Sequence, residues 1–222
     1  MLNVRSVDGD LTAEARIRDA ALARFPREGF EGTTMRAIAE DAGVSPALVV
    51  HHYESKEGLR RACDSYVIER IHTVKGEAIE SDSLTDPSVM AGGFQIAEPL
   101  MRYLGWALTT DSDAAARLFD EMVDESVRLV MLAEEHGAMV AGPDVRTRSV
   151  VMLSMQMGAL AMRDHLHRAL DMDPFSVEGV MAISRATLEL FSGAMFAPGQ
   201  AEAMREALEV AIENTRKEHS DG

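Results

Sequence analysis

Residues 33–58 read Thr-Thr-Met-Arg-Ala-Ile-Ala-Glu-Asp-Ala-Gly-Val-Ser-Pro-Ala-Leu-Val-Val-His-His-Tyr-Glu-Ser-Lys-Glu-Gly. The run encodes two short helices joined by a glycine turn. Thr34 is placed to cap a first helix whose inward positions are Met35, Ile38, Ala39 and Ala42, an i, i+3, i+4, i+7 stripe. Gly43 supplies the left-handed backbone that ends this helix without a Cβ clash, and Val44 plugs the turn. Ser45 and Pro46 open the second helix as N-cap and first helical residue, where the missing proline N–H costs nothing. Short helices crossing at roughly 90–120° over a turn of about 3–4 residues form the helix-turn-helix, whose second helix enters a DNA major groove. An αα-corner in any helical protein shares the turn pattern, so the flanks decide.

Ahead of the motif a helix is expected from Thr12, with Ile17, Ala20, Ala21, Ala23 or Arg24, and Phe25 spaced to bury one face. Gly29-Phe30 follows it, and Ser55-Lys56-Glu57 caps a further helix. Residues 12–62 as a whole resemble the amino-terminal domain of the TetR family of bacterial transcriptional regulators. The matching pieces are Ala20-Ala21-Leu22 with Phe25, Gly29-Phe30, Thr33-Thr34, Ile38-Ala39, Ala42-Gly43-Val44-Ser45, His52-Tyr53, and Ser55-Lys56-Glu57 with Leu59, in order and without a gap.

The resemblance covers about the first quarter of the chain and implies an all-α architecture. Residues 1–55 would form a three-helix DNA-binding domain, 56–78 a connecting helix, and 79–222 a larger helical domain for effector binding and dimerisation. The family usually dimerises through its last long helices, here around 150–167 and 177–191. Such a homodimer would bind a pseudo-palindromic operator in double-stranded DNA. It would act as a repressor released by a small lipophilic effector, controlling efflux or catabolic genes. The connecting helix would be the lever between the two parts. Two other readings stay open: a DNA-binding architectural or cell-cycle factor with no effector, and a helical small-molecule carrier whose reader is a remnant.

Composition agrees with a helical class. The chain has 222 residues, 46% hydrophobic but only 5% aromatic, which suits a core of Leu, Ala, Met and Val. Cys63 is the single cysteine, so no internal disulfide is possible and a cytoplasmic location is expected. Residues 1–10 do not read as a signal peptide, and no run of 18 apolar residues exists to span a membrane. The net charge of −15 is unevenly divided. Residues 1–76 carry 11 Lys and Arg against 12 Asp and Glu, and residues 77–222 carry 11 against 25. The acidity therefore belongs to the carboxy-terminal body, where a Debye length of about 8 Å largely hides it from DNA at the other end.

Beyond the connecting helix, the segment 81–87 breaks the chain with small polar residues. Further helices are expected over 87–97, with Gly92-Gly93 a weak point, and from Pro99 to Leu108. Asp111 or Ser112 would cap a helix to Glu135, and Asp144 one that ends near Leu170. Helices over 176–195 and 200–217 complete the set. The most apolar stretch, 150–161, is read as buried or in a subunit interface.

The DNA contacts are expected from the motif's exposed positions. Arg36 can reach a phosphate or a guanine edge, and the Thr34 and Ser45 hydroxyls sit at helix starts. Pro46, Ala47 and Leu48 begin the second helix, so readout there leans on methyl contacts and backbone N–H groups. Of His51 and His52, one should face DNA and the other seat the helix, with Tyr53 in the core. By resemblance Lys56 is a phosphate contact, while Val50 departs from a tyrosine that the family commonly uses on the DNA backbone. No metal site is expected, because His51-His52 and His165/His167 lack chelating helical spacing. No nucleophile elbow or phosphate loop occurs, so neither an enzyme nor a cofactor is expected.

Of 15 methionines, 13 lie from Met90 onward. Such a set fills a loosely specified core or dimer interface, or lines a cavity that accepts varied apolar shapes. In the second case the lining is drawn from Phe94, Met101, Tyr103, Trp106, Phe119, Met122, Met152 and Met155. A cationic effector could then stack on Trp106, with Glu98, Asp120 or Glu121 as counter-charge.

Overall fold

A computed structural model of the chain describes residues 12–110, 112–192, 199–201, 203–204 and 206–207. Nine helices and no strand occur among them: α1 (Ala13–Gly32), α2 (Met35–Asp41), α3 (Pro46–Tyr53), α4 (Lys56–Glu80), α5 (Pro87–Leu108), α6 (Asp113–Glu135), α7 (Val145–Ala161), α8 (Arg163–Leu170) and α9 (Val177–Phe191). The all-α class is as expected. The helix expected over 200–217 falls largely outside the described residues. Two compact units are present, Met1–Val177 and Glu178–Gly222.

Short polar side chains set the helix starts. Thr12, Thr34, Ser45, Ser55, Asp86, Ser112 and Asp144 each accept a backbone N–H of the first turn that follows. Two elements differ from the sequence expectation. Helix α5 runs unbroken through Gly92-Gly93 and Pro99. Its second half is anchored by buried Leu100, Tyr103, Leu104 and Ala107, and that packing outweighs the hydrogen bond lost at the proline. Conversely, the helix expected to reach Leu170 breaks at Met162, where φ and ψ are −100° and 20°. Neither Ala161 nor Met162 is buried, and α8 buries no residue, so nothing holds the turn regular.

In the first unit α1 packs on α2, α4 and α5, while α6 joins α4 to α7. One apolar cluster runs from Ile17, Phe25, Ile38 and Val49 through Leu59, Cys63 and Val67 to Tyr103, Leu104, Leu118 and Leu153. The helix-turn-helix and the body thus share a core. At their boundary the Phe25 and Trp106 rings stack with centroids 5.3 Å apart and planes 5° from parallel. Beside them fully buried Tyr103 donates its hydroxyl to Asp64 Oδ1 at 2.6 Å.

Burial pushes the Asp64 carboxyl above the usual carboxylate range, against the opposing pull of the Tyr103 hydrogen bond and the Arg60 charge. The native state therefore holds this proton more tightly than the unfolded chain does. Stability contributed by Asp64 falls as pH rises from the unfolded pKa through the folded one, and the penalty is complete above it. Asp64→Asn keeps an acceptor for Tyr103 and removes the charge. Its melting temperature should exceed that of the unsubstituted protein at pH 7, and the gap should close as pH is lowered toward about 4. A pH-independent difference in calorimetric scans would contradict this placement of the proton.

Candidate nucleic-acid interface and ligand cavity

The turn between α2 and α3 is closed by two backbone bonds. Val44 N–H donates to Ala39 at 2.9 Å and Gly43 N–H to Glu40 at 3.1 Å, with Gly43 at φ +63°. This pairing satisfies the last carbonyls of α2 and aims α3 outward. Ser45 Oγ then accepts from Leu48 N–H at 3.2 Å. Val49 and Tyr53 face inward, and the Tyr53 hydroxyl donates to the Glu14 carbonyl of α1 at 2.8 Å. Pro46, Ala47, Val50, His51 and His52 are exposed on α3, and Leu48 is half-buried. Thr34 and Arg36 are exposed at the start of α2. The expected DNA-facing set is therefore brought to one motif, with one correction. His51 and His52 are both exposed, their rings 5.5 Å apart, so neither seats the helix; Val49 and Tyr53 do that.

Lys56 departs further from expectation. Its Nζ donates to the Phe30 carbonyl at 2.7 Å and the Thr33 carbonyl at 3.1 Å, and lies 4.4 Å from the centroid of the Phe30 ring. Two of its three N–H donors are thus committed to the end of α1, leaving one for a phosphate. The clamp was invisible in sequence because its partners lie 23 and 26 residues away. The junction after α3 is equally constrained. Glu54 takes φ +64° and ψ −48° in a tight turn closed by Ser55 N–H on the Tyr53 carbonyl at 2.6 Å. A Cβ on Gly58 would collide with that same carbonyl, so glycine is required there. On the side of the motif facing α1, Arg24 binds Asp41 at 2.7 Å and Glu28 at 2.8 Å. The Arg24 guanidinium holds the Asp41 carboxyl below the usual carboxylate range.

A cavity of about 610 Å³ opens between the end of α5, the start of α6 and α7. Its wall comprises Leu104, Gly105, Leu108, Thr109, Thr110, Ser112, Ala115, Ala116, Phe119, Ser154, Met157, Gly158, Leu160 and Ala161. The size suits a small molecule, and among the described residues no charged side chain lines it. Of the seven expected ligand-site residues whose side chains are described, Phe119 lines this cavity and the other six do not. Tyr103 and Met122 are buried in the shared core, and Met101 and Trp106 pack against it. Met152 is half-buried, Met155 is exposed, and Phe94 lies outside the residues whose side chains are described. Trp106 carries the Phe25 ring stacked on it, and the cation nearest its ring is the protein's own Arg60 guanidinium, 5.1 Å from the centroid. Glu98 is bound by Arg102, and neither it, Asp120 nor Glu121 reaches this cavity. Large side chains fill space, and the opening lies where Gly105, Ala115, Ala116, Gly158 and Ala161 leave it.

A second, acidic groove of about 470 Å³ lies between α4 and α6, with Glu69, Glu121, Asp124 and Glu125 beside His72 and Arg128. Buried Glu125 bridges the two helices by accepting from His72 Nδ1 at 2.7 Å. Among the described residues no cluster of His, Cys, Asp or Glu has the arrangement of a metal site.

Residues 17–63 match the profile described as bacterial regulatory proteins, tetR family, and residues 96–197 match the tetracyclin repressor-like C-terminal domain. The chain belongs to the TetR family. It is 41% identical over 140 residues to the HTH-type transcriptional regulatory protein RaaS of Mycobacterium tuberculosis, across 63% of this chain and 66% of that protein. It is 30% identical over 95 residues to the HTH-type transcriptional regulator BetI of Burkholderia thailandensis, across 40% of this chain and 49% of BetI. The chain thus spans just under two thirds of the first relative and about half of the second. Among solved structures, SmeT, the repressor of the Stenotrophomonas maltophilia multidrug efflux pump SmeDEF, superposes with a TM-score of 0.53 at 21% identity. That match covers 87% of this chain and 96% of SmeT. Bacillus subtilis FadR, solved in complex with stearoyl-CoA, gives a TM-score of 0.55 at 17% identity over 79% of this chain and 95% of its own. At these identities the likeness establishes the fold.

Within the TetR frame Arg36 and Lys56 separate by mechanism. Lys56→Ala removes two hydrogen bonds from a cation and should cost about 2 kcal/mol, lowering the melting temperature by roughly 4–8 °C. Arg36→Ala touches no such partner and should stay within about 0.5 kcal/mol. Thermal unfolding followed by circular dichroism distinguishes them, and equal stability of the two variants would refute the clamp.

Proposed function

We propose that this TetR-family protein is a dimeric, sequence-specific transcriptional repressor in the cytoplasm, released from its operator by an uncharged lipophilic effector. In this reading residues 1–55 bind DNA, 56–78 connect, and the remainder holds the effector and the dimer contacts. The observation that carries it is the outward face of the motif. Arg36, His51 and His52 are exposed there beside Pro46, Ala47 and Val50, while the inward face is locked to α1. Arg36 would meet phosphate or a guanine edge, and the apolar start of α3 would meet thymine methyl groups. The free N–H of Lys56 and the capped start of α4 would add one phosphate contact.

Two further features support the reading. Val151 and Met155 on α7 and Met162 just beyond its end are exposed, and Met181, Leu188, Leu190 and Phe191 are exposed on α9. Apolar side chains of that size on the helices through which the family dimerises favour a homodimer. The 610 Å³ cavity, apolar with a few hydroxyls, favours an uncharged guest over the cationic one considered from sequence. Regulation of efflux or catabolic genes is consistent with such a guest.

DNA binding is tested by fluorescence anisotropy on the DNA upstream of the gene, across a salt series. If each of two reader domains neutralises about three phosphates, log affinity should fall against log salt with a slope of roughly −5. Arg36→Ala should flatten that slope by about 1 per reader domain. Weak binding that ignores salt would sink the proposal.

A further inference from the structure

Helix α5 has two working faces. Leu104, Gly105 and Leu108 line the cavity. Tyr103 and Trp106 occupy the opposite side, because at about 100° per residue the two sets are centred about 180° apart. On that side the Tyr103 hydroxyl reaches Asp64 of α4 at 2.6 Å, and Trp106 lies flat on Phe25 of α1. The wall and the indole also share the last turn of the helix. Thr109 and Thr110 line the cavity and donate their hydroxyls to the carbonyls of Gly105 at 2.7 Å and Trp106 at 2.9 Å.

We infer that α5 is the relay between the cavity and the DNA-binding motif, with Tyr103 and Trp106 as its positioning residues. The inference rests on the proposed reading of the motif and the cavity, and it moves the transmission from α4 acting alone to α5 acting on both α1 and α4. A guest that presses on Leu104, Gly105 and Leu108 displaces a rigid helix. The opposite face of that helix carries fully buried Tyr103 and the stacked Trp106, so the displacement is passed to α4 and α1 instead of absorbed. One group at the junction has buried N–H groups that make no hydrogen bond. Arg60 is buried, its Nε and Nη2 have no acceptor, and its guanidinium lies 5.6 and 5.1 Å from the ring centroids of Phe30 and Trp106. Buried N–H groups left unpaired favour any rearrangement that supplies an acceptor, so this contact is poised to change when the indole moves.

Coupling between two sites is reciprocal, so DNA held by the motif must be felt at the cavity wall without any effector. The experiment is hydrogen exchange by mass spectrometry on the full chain, with and without saturating DNA from upstream of its gene, with binding measured by anisotropy in the same samples. In the unsubstituted protein, exchange at the amides of 104–110 should change by about 5-fold or more, the low end of typical allosteric coupling. In Tyr103→Phe and Trp106→Leu at saturating DNA, that response should largely vanish while the amides of α2 and α3 still respond. A response confined to the motif and α4 in the unsubstituted protein would overturn the relay, as would variants that respond like it. Should the variants fail to fold, the unsubstituted protein decides alone. Absence of any DNA binding is seen separately by anisotropy, and it removes the regulator reading and the relay with it.

Discussion

The stack of Phe25 on Trp106 joins the helix-turn-helix to the body, and the position of the motif depends on it. Phe25 is fully buried, and its ring lies parallel to an indole carried by the body. Burial of such a ring contributes about 1.5–3 kcal/mol, and an aromatic pair adds about 0.5–1.5 kcal/mol. Through Phe25 the body holds α1. Helix α1 in turn holds α3 through the Glu14 carbonyl that accepts from Tyr53, and α2 through Arg24 on Asp41. The second of these is a partly exposed ion pair and counts for little by itself. Its value lies in fixing the angle of α2, since the apolar core supplies the stability.

Lys56 closes the same frame from the other side. By donating to the carbonyls of Phe30 and Thr33 it ties the first turn of α4 to the end of α1, just where Gly29 at φ +72° has broken the helix. Thr33 adds a hydroxyl bond to the Gly29 carbonyl at 2.8 Å. Carbonyls that a broken helix leaves without partners are thereby satisfied. The reader is therefore a three-helix unit with contacts to the body at two points, along α1 and at the start of α4.

What was legible in the sequence was local. The caps at Thr34, Ser45 and Ser55 and the left-handed Gly43 are each decided by a few neighbouring residues, and each stands as expected. The apolar stripe of Ile38, Ala39 and Ala42 faces inward for the same reason. What was missed depends on partners far along the chain. Trp106 and Tyr103 looked like ligand-facing aromatics, but their neighbours are Phe25 and Asp64, and nothing near them in sequence announces that. The cavity was missed because it is made by residues too small to stand out. Helix α5 passed through Pro99 because tertiary packing of its second half, unreadable from a window of neighbours, outweighed a local breaker.

Electrostatics and shape then divide the labour. The acidic excess lies beyond residue 76, so the helix-turn-helix part is close to neutral while the body is strongly anionic. The cavity stands apart from both, with no charged side chain among the described residues of its wall. A shared core makes one demand on all of this: the motif and the α5 contact should lose structure together. Urea unfolding of the full chain can be followed at two probes, the emission of Trp106, which is the only tryptophan, and the exchange protection of amides in α2 and α3. The expected result is a single midpoint for both. Melting of α2 and α3 at lower urea, with the Trp106 emission still native, would show that the motif has a core of its own and would contradict the account.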